Sequence, residues 1–576
     1  MPRSRKSPTA TTTKQAAPDY LILHLFAPGM SLMHRAGLGG LACTLDVLRQ
    51  RYDKGLLTDA EVRPLILDGQ PQWDIEEQQI TLRFGTPENA GAYLQKLFQF
   101  AFQITPEGLI YLPGQHGDTQ PSLAVLADLQ AGLLLTFLQH GGTRDLAKDE
   151  STVQYDPGDV DNVHALPVTY KKCSGYKHQS LWKELVDTKG RLKQTPVDLD
   201  GPVYPGAVVR HQAWGDLTKL KDPPERALPL YFAMVGCLSL LVNRGLGVLL
   251  IPEVENLRDF LDVRPLITPR NARQTLVAGA ADAALQAQVR VWSSQIIRRS
   301  GGSIPAIDAM TLAPTPWSTQ QKSRVNTLHV PRLADRDLQR YERALACLPL
   351  RVMVPADSTP DGKSTRKRKT AKAEQPGAVP PPSPVYRQES VVRPHVAENL
   401  ALGRPWYAGF IKFYTRKNPA TDKPYLEQLR YEKGGLHAMI AEPKMWDEEG
   451  ERRLVEAVHE AIRRTFGRIH RETDGEGKSP SQATKNRWDK FREELRLRLA
   501  GAKTANDARH ALCDLFSRAG YVQVLSEHWR DILPKLADDR WQLTRDLALL
   551  ALASYTGRED EKADAPEIVE GQANAT

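Results

Sequence analysis

The sequence predicts a multidomain α+β protein. A mixed α/β N-terminal part carrying a loop-rich insertion is followed by an all-α C-terminal helical bundle. Three observations predict this. Short apolar runs alternate with helical patterns from residue 18 to about 145. A stretch with almost no large apolar residues interrupts the chain at 355–396. Beyond it, apolar residues recur at three- and four-residue spacing, the mark of amphipathic helices. A length of 576 residues fits two to four domains of the usual ~100–200 residues, and 41% hydrophobic residues suffice for real cores.

Residues 1–17 are basic and polar with no apolar central run, so they read as a disordered tail and not as a secretion signal. The N-terminal domain is expected over 18–354. Its opening run, LILHLF from Leu21, reads as a buried strand broken by Pro28 and Gly29. From Met30 the period turns helical, with Met33, Gly37, Gly40, Leu41, Thr44, Leu45 and Leu48 on one side. Each interior glycine costs about 1 kcal/mol against alanine. Gly37, Gly39 and Gly40 therefore predict something packed very close to this helix, either a strand or another chain.

Ile80–Phe84 and Leu109–Leu112 read as strands, Asn89–Phe102 and Ser122–Leu138 as helices. Residues 146–225 are polar and rich in Lys, Gly and Pro, the composition of a loop-bearing insertion where ligand contacts concentrate. Ala227–Val242 reads as one buried helix. It is too short for the ~20 residues of a membrane span. Gly247–Ile251 reads as a strand, and Glu253–Leu261 and Thr275–Arg299 as helices. Arg332–Val354 closes the first half.

Residues 355–396 read as a disordered Pro/Ser/Lys-rich linker with the basic cluster Arg366–Lys369 at its middle. That cluster serves either solubility or nonspecific nucleic-acid contact. The helical domain is expected over 397–557. Its first long helix, from about Asp447 to His470, sets Leu454, Val455, Val458, Ile462, Phe466 and Ile469 on one face. Ser479-Pro480 marks the next helix start, with Trp488, Phe491, Leu495 and Leu499 as its buried stripe. Thr504 and Asp507 form a capping box for a third helix, ended by Gly520. Tyr521–Leu533 and Arg540–Tyr555 complete an antiparallel bundle. Residues 558–576 read as an acidic disordered tail.

The formal net charge of +8 and pI near 9.0 favour a polyanionic partner, a balance that ribosomal and membrane-surface proteins share. The five cysteines have no metal-knuckle spacing and read as reduced, buried thiols of a cytoplasmic protein. The Gly-Lys-Ser triplets at Gly362 and Gly477 lack the earlier glycine of a phosphate loop; Asp357 and Glu472 stand there. No His-Glu-x-x-His, adjacent His-Asp pair or Gly-x-Ser-x-Gly elbow occurs. The sequence thus predicts no catalytic residue, no metal ligand and no cofactor.

Three cationic patches remain, each of which could also be plain solvated surface. One is Lys171, Lys172, Lys177, His178 and Gln179, extending to Lys183, Lys189, Arg191 and Lys193. The second is Arg210, His211 and Gln212 beside Trp214. The third is the outer face of the C-terminal helices, with Arg452, Arg463, Arg464, Lys485, Arg492 and Arg496. There the aromatic residues read as reserved for the core. Lysines and arginines neutralise phosphates and release counterions, so these are the candidate DNA-binding residues.

PGMSLMHRAGLGGL at Pro28–Leu41, YPGAVVRH at Tyr204–His211 and ALPLYFAMVGCLSLLV at Ala227–Val242 resemble the large subunit of type I CRISPR effector complexes (Cascade). The likeness is to its Myxan-type branch near subtypes I-A and I-B. It implies a non-catalytic subunit that recognises a protospacer-adjacent motif in duplex DNA, stabilises the R-loop, and recruits a helicase-nuclease or a transposition adaptor. It implies as partners the guide crRNA, target double-stranded DNA and its displaced strand, and the backbone and 5′-handle subunits. A small subunit, translated from an internal start at Met439 or Met445, is a further implied partner. His34 and Arg35 become candidates for guide-RNA or subunit contact, or for local capping. The alternatives are a divergent metal-dependent nuclease and a pure structural scaffold of the complex.

Overall fold

The computed structural model describes residues 18–156, 165–199, 203, 205, 220–243, 246–295, 304–315, 318–349, 351–353, 386–388, 390–417 and 424–557. They form two compact units. The first is built from Met1–Tyr155, Pro167–Thr275 and Ser293–His329, the second from Asp156–Leu166, Leu276–Trp292 and Val330–Thr576. The α+β class holds: small sheets and helices in the first unit, a helical C-terminal region in the second. The second unit takes in 276–292 and 330–353, which the sequence reading placed in the N-terminal domain.

In the first unit, β1 (Tyr20–His24) is the edge of an antiparallel sheet with β2 (Trp73–Ile75) and β3 (Gln79–Arg83), in the order β1-β3-β2. Gly29, at φ +89°, turns the chain into α1 (Leu32–Asp53). The glycines of α1 are explained by backbone contact. A Cβ at Gly37 would lie 2.0 Å from the Pro229 carbonyl oxygen, and one at Gly40 2.4 Å from the Gly236 nitrogen. The close neighbour is therefore a helical segment of the same chain, not a strand or a second chain. The helices α2 (Ala90–Ala101) and α3 (Leu123–Leu135) form close to the expected positions, the second capped by Ser122.

Two expectations fail here. The 146–225 region is not an insertion of loops throughout: β4 (Arg144–Tyr155) and β5 (Leu166–Tyr176) pair as a long two-stranded sheet. Leu166, Val168 and Tyr170 alternate inward while Thr169 and Lys171 face out, a period-two pattern hidden by the polar composition. Ala227–Val242 is not one helix. It forms α4 (Pro224–Tyr231), α5 (Ala233–Gly236) and β6 (Leu238–Asn243).

The cause is a fully buried arginine from further along the chain. Arg264, on α6 (Leu257–Ile267), donates to the carbonyl oxygens of Val235 (2.8 Å) and Cys237 (2.7 Å). Gln115 takes the Met234 carbonyl at 2.7 Å. These carbonyls would otherwise accept from the next helical turn. The chain instead extends into a four-stranded sheet of β6, β7 (Leu246–Pro252), β8 (Ala306–Thr315) and β9 (Ser318–Pro331), in that order, with β6–β7 and β7–β8 antiparallel. The last two strands have no counterpart in the sequence reading.

In the second unit, α7 (Ala280–Ser293) and α8 (Asp335–Cys347) join the C-terminal half of the chain. Strands β10 (Arg351–Met353) and β11 (Tyr386–Gln388) pair with Val352 opposite Arg387. Ordered structure thus begins inside the segment read as linker, and Arg393 opens α9 (Arg393–Ala401). After α10 (Lys433–Ile440) comes α11 (Glu449–Asp474), whose expected apolar stripe from Leu454 to Ile469 is buried. Then α12 (Gln482–Gly501) starts at Ser481, two residues beyond the expected Ser479. The Asp474 carboxylate takes the Ser481 backbone N–H at 2.8 Å and the Thr484 hydroxyl at 2.6 Å, which fixes the later start. The helices α13 (Ala505–Ala519), α14 (Gln523–Ile532) and α15 (Trp541–Ser554) follow. The Thr504–Asp507 capping box and the Gly520 stop are both present.

Candidate nucleic-acid interface

The β5 patch divides into surface and core. Lys171 and Lys172 are exposed on the strand, which Gln130 anchors by donating to the Lys171 carbonyl at 2.9 Å. Lys177 is half-buried. His178 is not a DNA-facing residue: it is fully buried among Phe102, Phe137 and Tyr176, with ring centres 5.7, 6.1 and 6.4 Å away. Burial pushes its pKa down to about 3, so it is neutral, and neither ring nitrogen has a hydrogen-bond partner. Gln179 is also committed internally. Its amide accepts from the Tyr176 N–H (3.2 Å) and donates to the Phe102 carbonyl (3.0 Å), closing the turn that carries His178 inward. Lys183 and Lys189 are exposed, whereas Arg191 pairs with Glu88 at 2.6 Å. Arg210, His211, Gln212 and Trp214 lie outside the described residues.

His34 and Arg35 serve the fold. His34 is buried at the first turn of α1, with Nδ1 2.7 Å from the Ser31 hydroxyl and Nε2 3.2 Å from Asp222. Desolvation lowers its pKa, opposed by the Asp222 carboxylate. Arg35 pairs with Glu253 at 3.3 Å and lies over the Phe26 ring. Of the three sequence readings, local capping is the one that this geometry matches, and the ring of His34 is not presented to a ligand.

The basic face of the C-terminal helices is largely neutralised by its own carboxylates. Arg452 pairs with Glu449 and Glu456, Arg464 with Glu460 (2.7 Å), Arg492 with Asp489 (3.6 Å) and Arg496 with Glu493. Such i,i+3 and i,i+4 pairs support the helix but leave less field for a polyanion. Among the described residues, Arg463, Arg471, Lys478, Lys485 and Lys490 are exposed and form no ion pair. All five lie on the hairpin of α11 and α12. Between residues 463 and 490 the chain carries eight Lys or Arg against four Asp or Glu. The surplus is therefore concentrated at the hairpin end and not spread along both helices.

The sequence reading missed the exposed aromatic rings of this unit. Tyr521 is 64% exposed and Trp529 51%, against the expectation that aromatics serve only the core. Tyr521 directly follows the Gly520 helix stop, so helical periodicity does not apply to it. Arg464 lies over its ring at 5.8 Å. Cys513 is exposed and Cys347 half-buried, so only Cys43, Cys173 and Cys237 fit the buried-thiol reading. Among the described residues, no group of three or more His, Cys, Asp or Glu could hold a metal ion, and no helix is long and apolar enough to cross a membrane.

A mixed α/β unit and a largely helical C-terminal unit are the architecture expected of the large-subunit class that the Pro28–Leu41 motif resembles. Residues 22–231 match the DevT N-terminal domain family and residues 442–575 the DevT C-terminal domain family. A CRISPR-associated protein Cas8a1/Csx13 of Myxococcus xanthus (strain DK1622) is 35% identical over 568 residues, covering 96% of this chain and 91% of the relative. The chain belongs to the Cas8a1/Csx13 family of CRISPR-associated proteins.

Proposed function

We propose that this chain is the non-catalytic large subunit of an RNA-guided effector complex. In this reading it recognises a short motif in duplex DNA beside the target, stabilises the R-loop, and recruits a nuclease or a transposition adaptor. Guide pairing reads the target sequence, and the protein reads the adjacent motif and holds displaced strand. The observation that carries this reading is the 35% identity to a Cas8a1/Csx13 protein, which runs through both units. Lys171 and Lys172, exposed on β5, and residues 210–212 are assigned to the duplex. The hairpin cations Arg463, Lys485 and their neighbours are assigned to single strand.

The test is binding of the assembled complex to target duplex over a salt series. Lys171→Gln with Lys172→Gln lowers duplex affinity and reduces the salt slope by about 0.9 per lost phosphate contact. Unchanged affinity and slope would sink the assignment. DNA cleavage by the purified chain with magnesium, abolished by EDTA, would favour a nuclease instead.

A separately made helical product is part of the same proposal. The match to the DevT C-terminal domain begins at residue 442, between Met439 and Met445. From Met445 the chain runs about 130 residues, an ordinary size for a free domain. Both methionines are buried, so leucine replaces them with little disturbance. Met439→Leu with Met445→Leu removes a short band from the purified complex. If the unmodified complex lacks that band, no such product exists.

A further inference from the structure

Gly467 stands seven residues before the end of α11 and has no packing reason to be glycine. A glycine inside a helix is less stable than alanine there. Elsewhere the cost has a steric cause: in the same helix, a Cβ at Gly450 would lie 2.1 Å from the Asp531 carbonyl oxygen. At Gly467 a Cβ would meet nothing within 4 Å. The open notch is surrounded by cations. Arg463, Arg464, Arg468 and Arg471 occupy positions four and three before it and one and four after it, all exposed. Arg464 pairs with Glu460 and Arg468 with Glu472 at 3.8 Å, while Arg463 and Arg471 form no ion pair among the described residues.

An aromatic ring is linked to the notch through one of these arginines. Arg464 bridges from the notch to Tyr521, its guanidinium 5.8 Å from the ring centre. Glu460 ties Arg464 to the start of α14: one oxygen takes Arg464 and the other takes the Val524 N–H at 3.0 Å. The side chain of Tyr521 is 64% exposed, so its ring face is open to a stacking partner.

We propose that the Gly467 notch seats one phosphate of a single-stranded nucleic acid on its four arginines, and that Tyr521 stacks on the adjoining base. The missing side chain lets the phosphate approach the helix surface. The local surplus of positive charge supplies affinity, and the ring supplies a contact that duplex DNA, with its bases paired, cannot make. The proposal rests on the reading of the hairpin as a nucleic-acid contact and names its seat and its stacking residue.

The test is fluorescence anisotropy of labelled oligo(dT) and of a matched duplex with the full chain, over a salt series. Gly467→Leu keeps the charge, favours helix, and weakens oligo(dT) binding by about tenfold at an unchanged or raised thermal midpoint. Arg463→Gln with Arg471→Gln flattens the single-strand salt slope by about 0.7 per contact. Tyr521→Ala weakens oligo(dT) about tenfold with the slope unchanged and duplex binding unaffected, and Tyr521→Phe restores it. Unchanged oligo(dT) affinity in both Gly467→Leu and Tyr521→Ala overturns the proposal, with the broader reading intact if the unmodified chain still binds in a salt-dependent way. Absence of any salt-dependent oligo(dT) binding by the unmodified chain overturns both. Release of a protein from the complex by Tyr521→Ala, with oligo(dT) affinity unchanged, assigns the ring to a protein contact and overturns the proposal.

Discussion

Arg393 and Asp282 form a buried ion pair in the second unit, with Nε 2.9 Å and Nη2 3.2 Å from the two carboxylate oxygens. The Tyr341 hydroxyl donates to the same carboxylate. The pair joins α7 to α9 across 111 residues of sequence. Removing one partner strands a charge in the interior. Arg393→Met is therefore expected to cost about 3–5 kcal/mol, read from the midpoint of urea unfolding. A loss under 1 kcal/mol would mean the pair is not closed in solution.

The seam between α1 and the α4–α5 segment is backbone against backbone. Gly37→Ala sets a methyl against the Pro229 carbonyl, with neither side able to rotate away. A loss of about 1–3 kcal/mol or more is expected, from overpacking. Gly467→Ala is the opposite case and is expected to stabilise by up to about 1 kcal/mol, because nothing opposes the better helix former. Thermal melts of the two single variants should shift in opposite directions.

His178 makes the fold acid-sensitive. Its pKa is about 3 in the folded chain against 6.5 when unfolded. Between these values the unfolded state binds the extra proton, so stability is full above pH 6.5 and falls as pH drops through the window. One fully buried group of this kind contributes about 1.4 kcal/mol per pH unit. His116 and His395, also pushed to about 3, act in the same direction. His178→Phe should flatten the decline between pH 6.5 and pH 5 while keeping the ring packing. An unchanged pH profile would show that His178 is solvated.

The short C-terminal product would lack part of its own core. In the full chain the Asp546 carboxylate accepts from the N–H groups of Gly409 (2.7 Å) and Ile411 (3.2 Å), and Tyr407 donates to Glu451 at 2.8 Å. Residues 445–576 contain the acceptors without these donors. Expressed alone, that fragment is expected to bind a hydrophobic dye and to unfold at lower denaturant than residues 390–557. Equal stability of the two fragments would contradict this.

Much of the helical unit was legible because its signals are local. The α11 stripe from Leu454 to Ile469, and the Thr504 cap three residues before Asp507, depend on neighbours within one or two turns. The failures come from distant residues. Ala227–Val242 has helical composition, and Arg264 diverts its carbonyls. Nothing near Asp282 announces that its partner is Arg393. In the candidate site, Lys171 and Lys172 were readable as surface, but KHQS gives no sign that His178 turns fully inward beside a half-buried Lys177. Arg452 and Arg496 could have been discounted from Glu449, Glu456 and Glu493, which stand three or four residues away. The notch at Gly467 was invisible, because an unpacked glycine and a packed one look alike in sequence.

The way α7 is held in the second unit has a practical consequence. Cleaving the backbone between residues 354 and 385 would leave the buried pair shared by two polypeptides. The upstream piece carries Asp282 and Tyr341, the downstream piece Arg393, and their shared interior would keep the halves together through chromatography. The gene could be divided at the same place, and the two translation products co-expressed to reconstitute the molecule.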